Sequence, residues 1–239
     1  MDFLQTYEAE TGALNASEQE MRYGVRTLSN NDTQRLAEYQ RLRGSTFVQR
    51  LGWQIPVDSE GRDVDRYDKL DEARSFISTH CTYGIDQQEH LLGGVRILTL
   101  RDWNDSMIEN EFRSCGMFPQ EALLLLKRQH HYDELLELTR FCVRSKPAPY
   151  KLPIARDLTY AAVYAQSLAT GRAFALGVAD FLYYQVMRRS HFHFTDFYTY
   201  RLNQRGGYAL VVIDLWETIR SLLAHGEEAR VKRMLLLCV

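Results

Sequence analysis

Two charged residues interrupt an otherwise apolar run in "LLELTRFCV" (135–143), namely Glu137 and Arg140. Arg96 does the same in "GGVRILTL". Charges placed among Leu, Ile, Phe and Val are costly to bury unless they are paired and hydrogen-bonded, so these three call for a network. Acids to meet them lie in "WQIPVDSEGRDVDRYD" (53–68), where Asp58, Glu60, Asp63, Asp65 and Asp68 outnumber two arginines. Such a set serves either structure or catalysis, and residue types alone leave both open. Spacing adds a constraint. Positions 137 and 140 point to opposite faces of a regular strand and converge only where a bulge shifts the register.

Other chemistries are poorly served. "HFHF" (His191, His193) and "HH" (130–131) supply pairs of imidazoles without the three or four convergent ligands of a metal site, so no metal is expected. Counted from Asp58, the acidic run has Gly61 in fourth place and Lys69 in twelfth, which is not the glycine and closing glutamate of a calcium loop. No G-x-S-x-G elbow and no Walker A occur.

The elements that must position these residues follow from periodicity and punctuation. The spacing predicts a helix over 33–51, with Asp32 as N-cap and Gly52 as stop. Tyr39, Arg43 and Phe47 then share one stripe, an unusual place for a solvated arginine. "ARSFISTHCTYG" and "EHLLGGVRILTL" read as strands joined by "IDQQ", and the glycine pair in the second marks a bulge or a close approach of backbone. A helix is expected in "PQEALLLLKRQHH", a buried strand in "LLELTRFCV", a helix over 154–170 and a strand in "RAFALGV". "DFLYYQVMRRS" is helical, "HFHFTDFY" and "YALVVIDL" are late strands, and a helix closes the chain. Hairpins followed by strand–helix–strand predict an α/β sandwich on a mixed sheet. Residues 1–30 read as an N-terminal extension and 31–239 as one domain.

Bulk properties set limits. At 239 residues, with 45% hydrophobic and 25% charged residues, the chain suits a soluble globular protein with a sizeable core. A net charge of −2 gives no global field for nucleic acid. No apolar run approaches the roughly 20 residues of a membrane helix, so no membrane association is expected. Cys81, Cys115, Cys142 and Cys238 are scattered, and "MDFLQTYEAE" is acidic without an apolar h-region; both point to a cytoplasmic location.

Taken in order, Arg43 and Phe47, then Trp53, the acids of "DVDRYD", "GGVRIL", a phenylalanine before a variable loop and "ELTRF" resemble the LuxI-type acyl-homoserine-lactone synthases. The likeness spans about residues 35–215 and is strongest over 43–143. It implies a GNAT (acetyltransferase-like) three-layer sandwich with a mixed, mostly antiparallel sheet. The implied reaction acylates the amine of S-adenosylmethionine from an acyl thioester, carried by acyl carrier protein or coenzyme A, and releases methylthioadenosine on lactone closure.

By the same resemblance Arg43, Phe47, Trp53, Arg96 and Phe112 belong to the S-adenosylmethionine pocket, and Asp65, Asp68, Glu137 and Arg140 to the catalytic set, with Glu137 as base. Phe141, Val178, Phe181, Tyr183, Tyr184 and Met187 are expected along the acyl tunnel. Arg188 and Arg189, with Lys146, Lys151, Arg156 and Arg172, are expected to form a basic patch for the carrier protein. A related N-acyl amino acid synthase, or a GNAT-like binding module without turnover, shares much of this pattern.

Overall fold

The computed structural model describes residues 23–28, 31–69, 74–81, 89–113, 118–144, 151–202, 206–229 and 232. Its strands are β1 (Tyr23–Leu28), β2 (Arg74–Cys81), β3 (Glu89–Thr99), β4 (Leu135–Val143), β5 (Phe174–Asp180), β6 (His193–Leu202) and β7 (Gly206–Asp214). The α-helices are α1 (Thr33–Gly44), α2 (Gln120–Gln129), α3 (Lys151–Thr170), α4 (Phe181–Arg189) and α5 (Leu215–Ala224).

The strands form one sheet in the order β1-β2-β3-β4-β5-β7-β6. Every adjacent pair is antiparallel except β4–β5, which is parallel. A parallel pair needs a crossover, and α3 supplies it. Alternation along the strands gives the sheet two buried faces. Val95, Ile97, Leu136, Ala175 and Ile213 pack with α3 and α5. Their neighbours Leu98, Leu135, Leu176 and Val212 pack with Met107, Ile108 and α2. The three layers expected from the sequence are thus present.

One boundary is corrected. Residues 23–28, assigned above to the extension, form β1 and pair with β2 from Tyr23↔His80 to Leu28↔Ser75. Val25 alone carries the apolar signal of this strand into the main core, too short a pattern to read without its partner. The helix expected over 33–51 is also two structures. Asp32 caps it, accepting from the Arg35 N–H, but after Gly44 the ladder widens into a π-helical turn, Ser45–Arg50. Gly52 then ends it at φ +72°.

Two glycines let layers meet. A Cβ on Gly94 would stand 2.4 Å from the Tyr39 ring, and one on Gly44 only 2.1 Å from the Gly61 carbonyl oxygen. The first seats α1 on β3, and the second seats the acidic loop on α1.

Candidate active site

At β4 the register against β3 slips between Gly94 and Arg96, and Arg140 takes φ +53°. Tyr39 holds this bulge, donating its hydroxyl to the Arg140 carbonyl at 2.8 Å. The bulge is the one required for convergence, because it turns Arg140 onto the face that Arg96, Glu137 and Thr139 already occupy. The acidic loop crosses that face. The Asp63 amide donates to the Gln40 carbonyl (3.1 Å), and Asp65 accepts from the Tyr67 and Asp68 amides, turning the chain so that its acids point inward.

The result is a buried cluster of three arginines and three aspartates. Arg43, 0% exposed, reaches Asp63 (3.0 Å), Asp68 (2.7 Å) and Asp65 (3.3 Å). Arg96, also 0% exposed, holds Asp65 with both terminal nitrogens (2.6 and 2.9 Å), contacts Asp68 at 2.7 Å and donates through Nε to Thr139. Arg140 Nε lies 2.8 Å from Asp63, and its Nη2 lies 3.3 Å from Asp65 and 3.4 Å from Glu111. An aromatic ring faces each guanidinium: Tyr39 against Arg43, Tyr67 against Arg96 and Phe47 against Arg140.

Burial is the largest single influence on Asp65 and pushes its pKa up. Hydrogen bonds and charge from Arg96, with Arg43 and Arg140, overcome it and bring the carboxyl to about 2. Arg43 loses basicity by burial and regains more from Asp68, Tyr39 and Asp63, so it ends above its ordinary value. Glu111, at the edge, is raised chiefly by burial.

Glu137 behaves differently. It is 0% exposed, and its Oε1 accepts the Ile108 N–H at 2.9 Å while Oε2 has no well-formed hydrogen bond. Burial raises it to about 7, against the opposing pull of the Ser106 hydroxyl, the Ile108 amide and Arg96. Glu137 therefore stands one layer behind Met107 and Ile108 rather than in contact with open space.

Those two residues line a cavity of about 260 Å³. It lies where the sheet splits. β4 and β5 pair only from Leu135↔Phe174 to Leu138↔Gly177, and beyond this seam their facing backbone groups lose each other. On the α1 face the cavity is walled by Phe47, Trp53, Arg140, Tyr208 and Arg50. Phe47 and Trp53 stack at 4.9 Å, and the Trp53 indole N–H donates to the Tyr208 hydroxyl. On the α3 face the wall is Phe141, Val143, Ala155 and Tyr183, with Val178, Ala179 and Asp180 along β5.

The structure therefore brings together Arg43, Phe47, Trp53, Asp65, Asp68, Arg96, Glu137 and Arg140, with different duties. Phe47, Trp53 and Arg140 reach the cavity, whereas Arg43, Arg96, Asp65 and Asp68 spend their hydrogen bonds on one another. Phe112 lies in a second π-helical turn, and its side chain falls outside the described residues.

The expected tunnel needs correction. Phe141 and Val178 line the cavity, but Met187 is buried in the main core and Tyr184 and Phe181 pack with Ala209, Val211 and Phe194. Tyr183, one position from Tyr184 and about 100° around the helix, is the tyrosine that faces the seam.

The basic patch also dissolves in part. Arg172 donates to the Tyr132, Leu135 and Leu100 carbonyls and acts as a clamp between strands. Arg156 pairs with Asp157. Arg188 and Arg189 are exposed, while Lys146 and the side chain of Lys151 fall outside the described residues.

Tyr208 was not singled out from sequence, and Asp63 stood there only as one of five loop acids. Asp63 is the deepest of the loop acids, 1% exposed, and the shared partner of Arg43 and Arg140. Among the described residues no three His, Cys, Asp or Glu side chains gather into a metal site, and no helix is long and apolar enough to cross a membrane.

A family model described as autoinducer synthase matches residues 27–196, well over half of the chain. A search among curated proteins returns no match. Among solved structures, the acyl-homoserine-lactone synthase LasI shares 22% identity at a TM-score of 0.63, covering 82% of this chain and 91% of its own. TofI, solved in a ternary complex with an inhibitor and MTA, shares 20% identity at a TM-score of 0.58, with coverage of 84% and 96%. BjaI, a CoA-dependent acyl-homoserine lactone synthase solved with SAM and isopentyl-CoA, shares 17% at a TM-score of 0.58, with coverage of 86% and 90%. At these identities the likeness establishes the fold.

Proposed function

This chain belongs to the autoinducer synthase family, and from that premise we propose that it makes an N-acyl-homoserine lactone from S-adenosylmethionine and an acyl thioester. The observation that carries the reading is a cavity that passes through the sheet at the β4–β5 seam, aromatic and cationic on one face and apolar on the other. S-adenosylmethionine occupies the first face and the acyl chain the second, so the amine and the thioester carbonyl meet in the seam.

The residue types suit the substrates. Phe47 and Trp53 offer aromatic surface to the sulfonium and adenine, a contact worth about 0.5–2 kcal/mol. Arg140 and Arg50, both in the cavity wall, supply positive charge for the substrate carboxylate. Arg43, Arg96, Asp63, Asp65 and Asp68 act behind them as positioning residues, fixing Arg140 and the loop that carries Trp53.

Before attack the ammonium gives up a proton. An α-amino group ordinarily titrates near 8, roughly, so an acceptor near neutrality is well matched. Glu137, at about 7, is that acceptor, reached through the Ser106–Ile108 segment or one water. The amine lone pair adds to the thioester carbonyl, and backbone N–H groups freed along the seam beyond Leu138 receive the developing oxyanion. Collapse expels the thiol. The substrate carboxylate then attacks the γ-carbon bonded to the sulfonium; the C–O bond closes the lactone as the C–S bond breaks, and methylthioadenosine leaves as a neutral sulfide.

The donor is an acyl-carrier-protein or coenzyme A thioester, and exposed Arg188 and Arg189 at the end of α4 are the contacts proposed for an acidic carrier. Mass spectrometry of a reaction containing the purified protein, S-adenosylmethionine and a panel of both donor types tests the function. Acyl-homoserine lactone and methylthioadenosine in equal amounts are expected. An acylated amino acid without methylthioadenosine would replace this reading by that of an N-acyl amino acid synthase.

A further inference from the structure

The apolar face of the cavity ends in a wall held by a ring stack and two hydrogen bonds. Tyr183 stacks on Phe141 across the seam, with ring centroids 4.6 Å apart and an interplanar angle of 23°. Its backbone N–H is held by the Asp180 carboxylate at 2.8 Å, which fixes the first turn of α4. Its hydroxyl hydrogen-bonds to Thr159 on α3. Thr159 already donates its own proton to the Ala155 carbonyl, so in this pair Tyr183 is the donor. The ring is thereby pinned at the backbone, at its face and at its tip.

Behind the stacked pair lie packed apolar side chains. Val143 and Ala155, both in the cavity wall, belong to a packed cluster with Leu92 and Ile154, and Phe141 and Tyr183 close against it. The cavity itself, at about 260 Å³, lies below the roughly 300–1,000 Å³ of sites for drug-sized ligands.

We propose that Tyr183, pinned by Thr159 and stacked on Phe141, sets the upper length of the acyl chain, and that the protein selects short-chain acyl donors. The inference rests on the lactone synthase reading and deepens it. Tyr184, on the same helix, packs elsewhere, and Met187, one turn on from Tyr183, is buried in the core beneath it rather than in the cavity wall.

The test measures kcat/KM for lactone formation with thioesters from butanoyl to tetradecanoyl, for the wild type, Tyr183→Ala, Tyr183→Phe and Phe141→Leu. The wild type is expected to peak at octanoyl or below and to fall at least about tenfold by dodecanoyl, the scale on which a methylene or two is discriminated in a closed apolar pocket. Tyr183→Ala shifts the optimum toward longer chains. Tyr183→Phe, which keeps the ring, keeps the wild-type order. Phe141→Leu shifts the optimum in the same direction as Tyr183→Ala and serves if the alanine variant does not fold.

Equal use of hexanoyl and dodecanoyl donors by the wild type would overturn the proposal. So would an unchanged length profile in folded Tyr183→Ala and Phe141→Leu. Absence of lactone with every donor would instead remove the function itself, and the length limit with it.

Discussion

The two sides of the β4–β5 seam are built on opposite principles. On the α1 side, three guanidiniums and three carboxylates are buried together, and nearly every polar atom is spent on another member of the cluster. On the α3 side, rings and small apolar side chains shape the cavity, and the Tyr183–Thr159 hydrogen bond is there to hold a ring still. The charged side gains its precision from directional contacts, which fix the loop bearing Trp53 and the bulge bearing Arg140. The apolar side gains its shape from packing, which is tolerant of sequence and selective for volume. One is suited to recognising a charged molecule, the other to measuring a hydrocarbon.

The sharpest way to break this contrast is at Glu137, whose carboxylate serves the charged side alone. Glu137→Gln keeps a carbonyl oxygen for the Ile108 N–H but abolishes basicity. Its kcat is expected to fall about 10²- to 10⁴-fold in a steady-state assay with near-native circular dichroism. Near-normal turnover would reduce Glu137 to a structural anchor.

Next in size is Asp63→Ala, which leaves Arg43 and Arg140 short of a buried partner. Urea unfolding is expected to show a loss of about 3–5 kcal/mol, the cost of a buried charge deprived of its pair. A loss below about 1 kcal/mol would mean that water enters and the cluster is not a closed unit.

The cluster also makes stability depend on pH in two opposing ways. Glu137 binds its proton more tightly when folded, at about 7 against an ordinary 4.5, so it adds stability below 4.5 that is lost as pH rises through 7. At 1.36 kcal/mol per unit this is roughly 3 kcal/mol between the two plateaus, and Glu137→Gln should flatten that decline. Asp65, lowered to about 2 from 3.8, adds stability above 3.8 that is lost as pH falls through 2. Unfolding free energies measured from pH 2 to 8 separate the two windows.

The smallest effect belongs to the outer half of the same loop. Glu60 pairs with Arg41 at 2.7 Å, but both side chains are about half exposed. Glu60→Ala is expected to change the unfolding free energy by no more than about 0.5 kcal/mol, and less in high salt.

This difference also explains what was legible in the sequence. Arg43, Arg96, Glu137 and Arg140 betray themselves because charge in an apolar pattern needs a partner, and the acids of 58–68 were the obvious supply. Which acids go inside was not legible. Asp58 and Asp63 look alike in the chain, and only the seating of Gly61 against Gly44 separates the half in water from the half in protein.

The strands of the sheet were readable from apolar runs and turn punctuation, apart from β1, whose short pattern means little without β2. The apolar wall was the hardest part. "FLYYQVM" places two tyrosines side by side, and a rotation of one residue decides whether Tyr183 or Tyr184 meets the substrate. That phase is set by the Asp180 cap and the Thr159 contact, which are properties of the assembled layers.

Isothermal titration calorimetry of S-adenosylmethionine into the protein, with no acyl donor present, tests the division of labour across the seam most directly. The wild type and Tyr183→Ala should bind with equal affinity, while Trp53→Ala should bind about tenfold more weakly, as loss of a desolvated aromatic–cation contact implies. Equal binding by all three proteins, or a loss in Tyr183→Ala as large as that in Trp53→Ala, would contradict the assignment of the two faces.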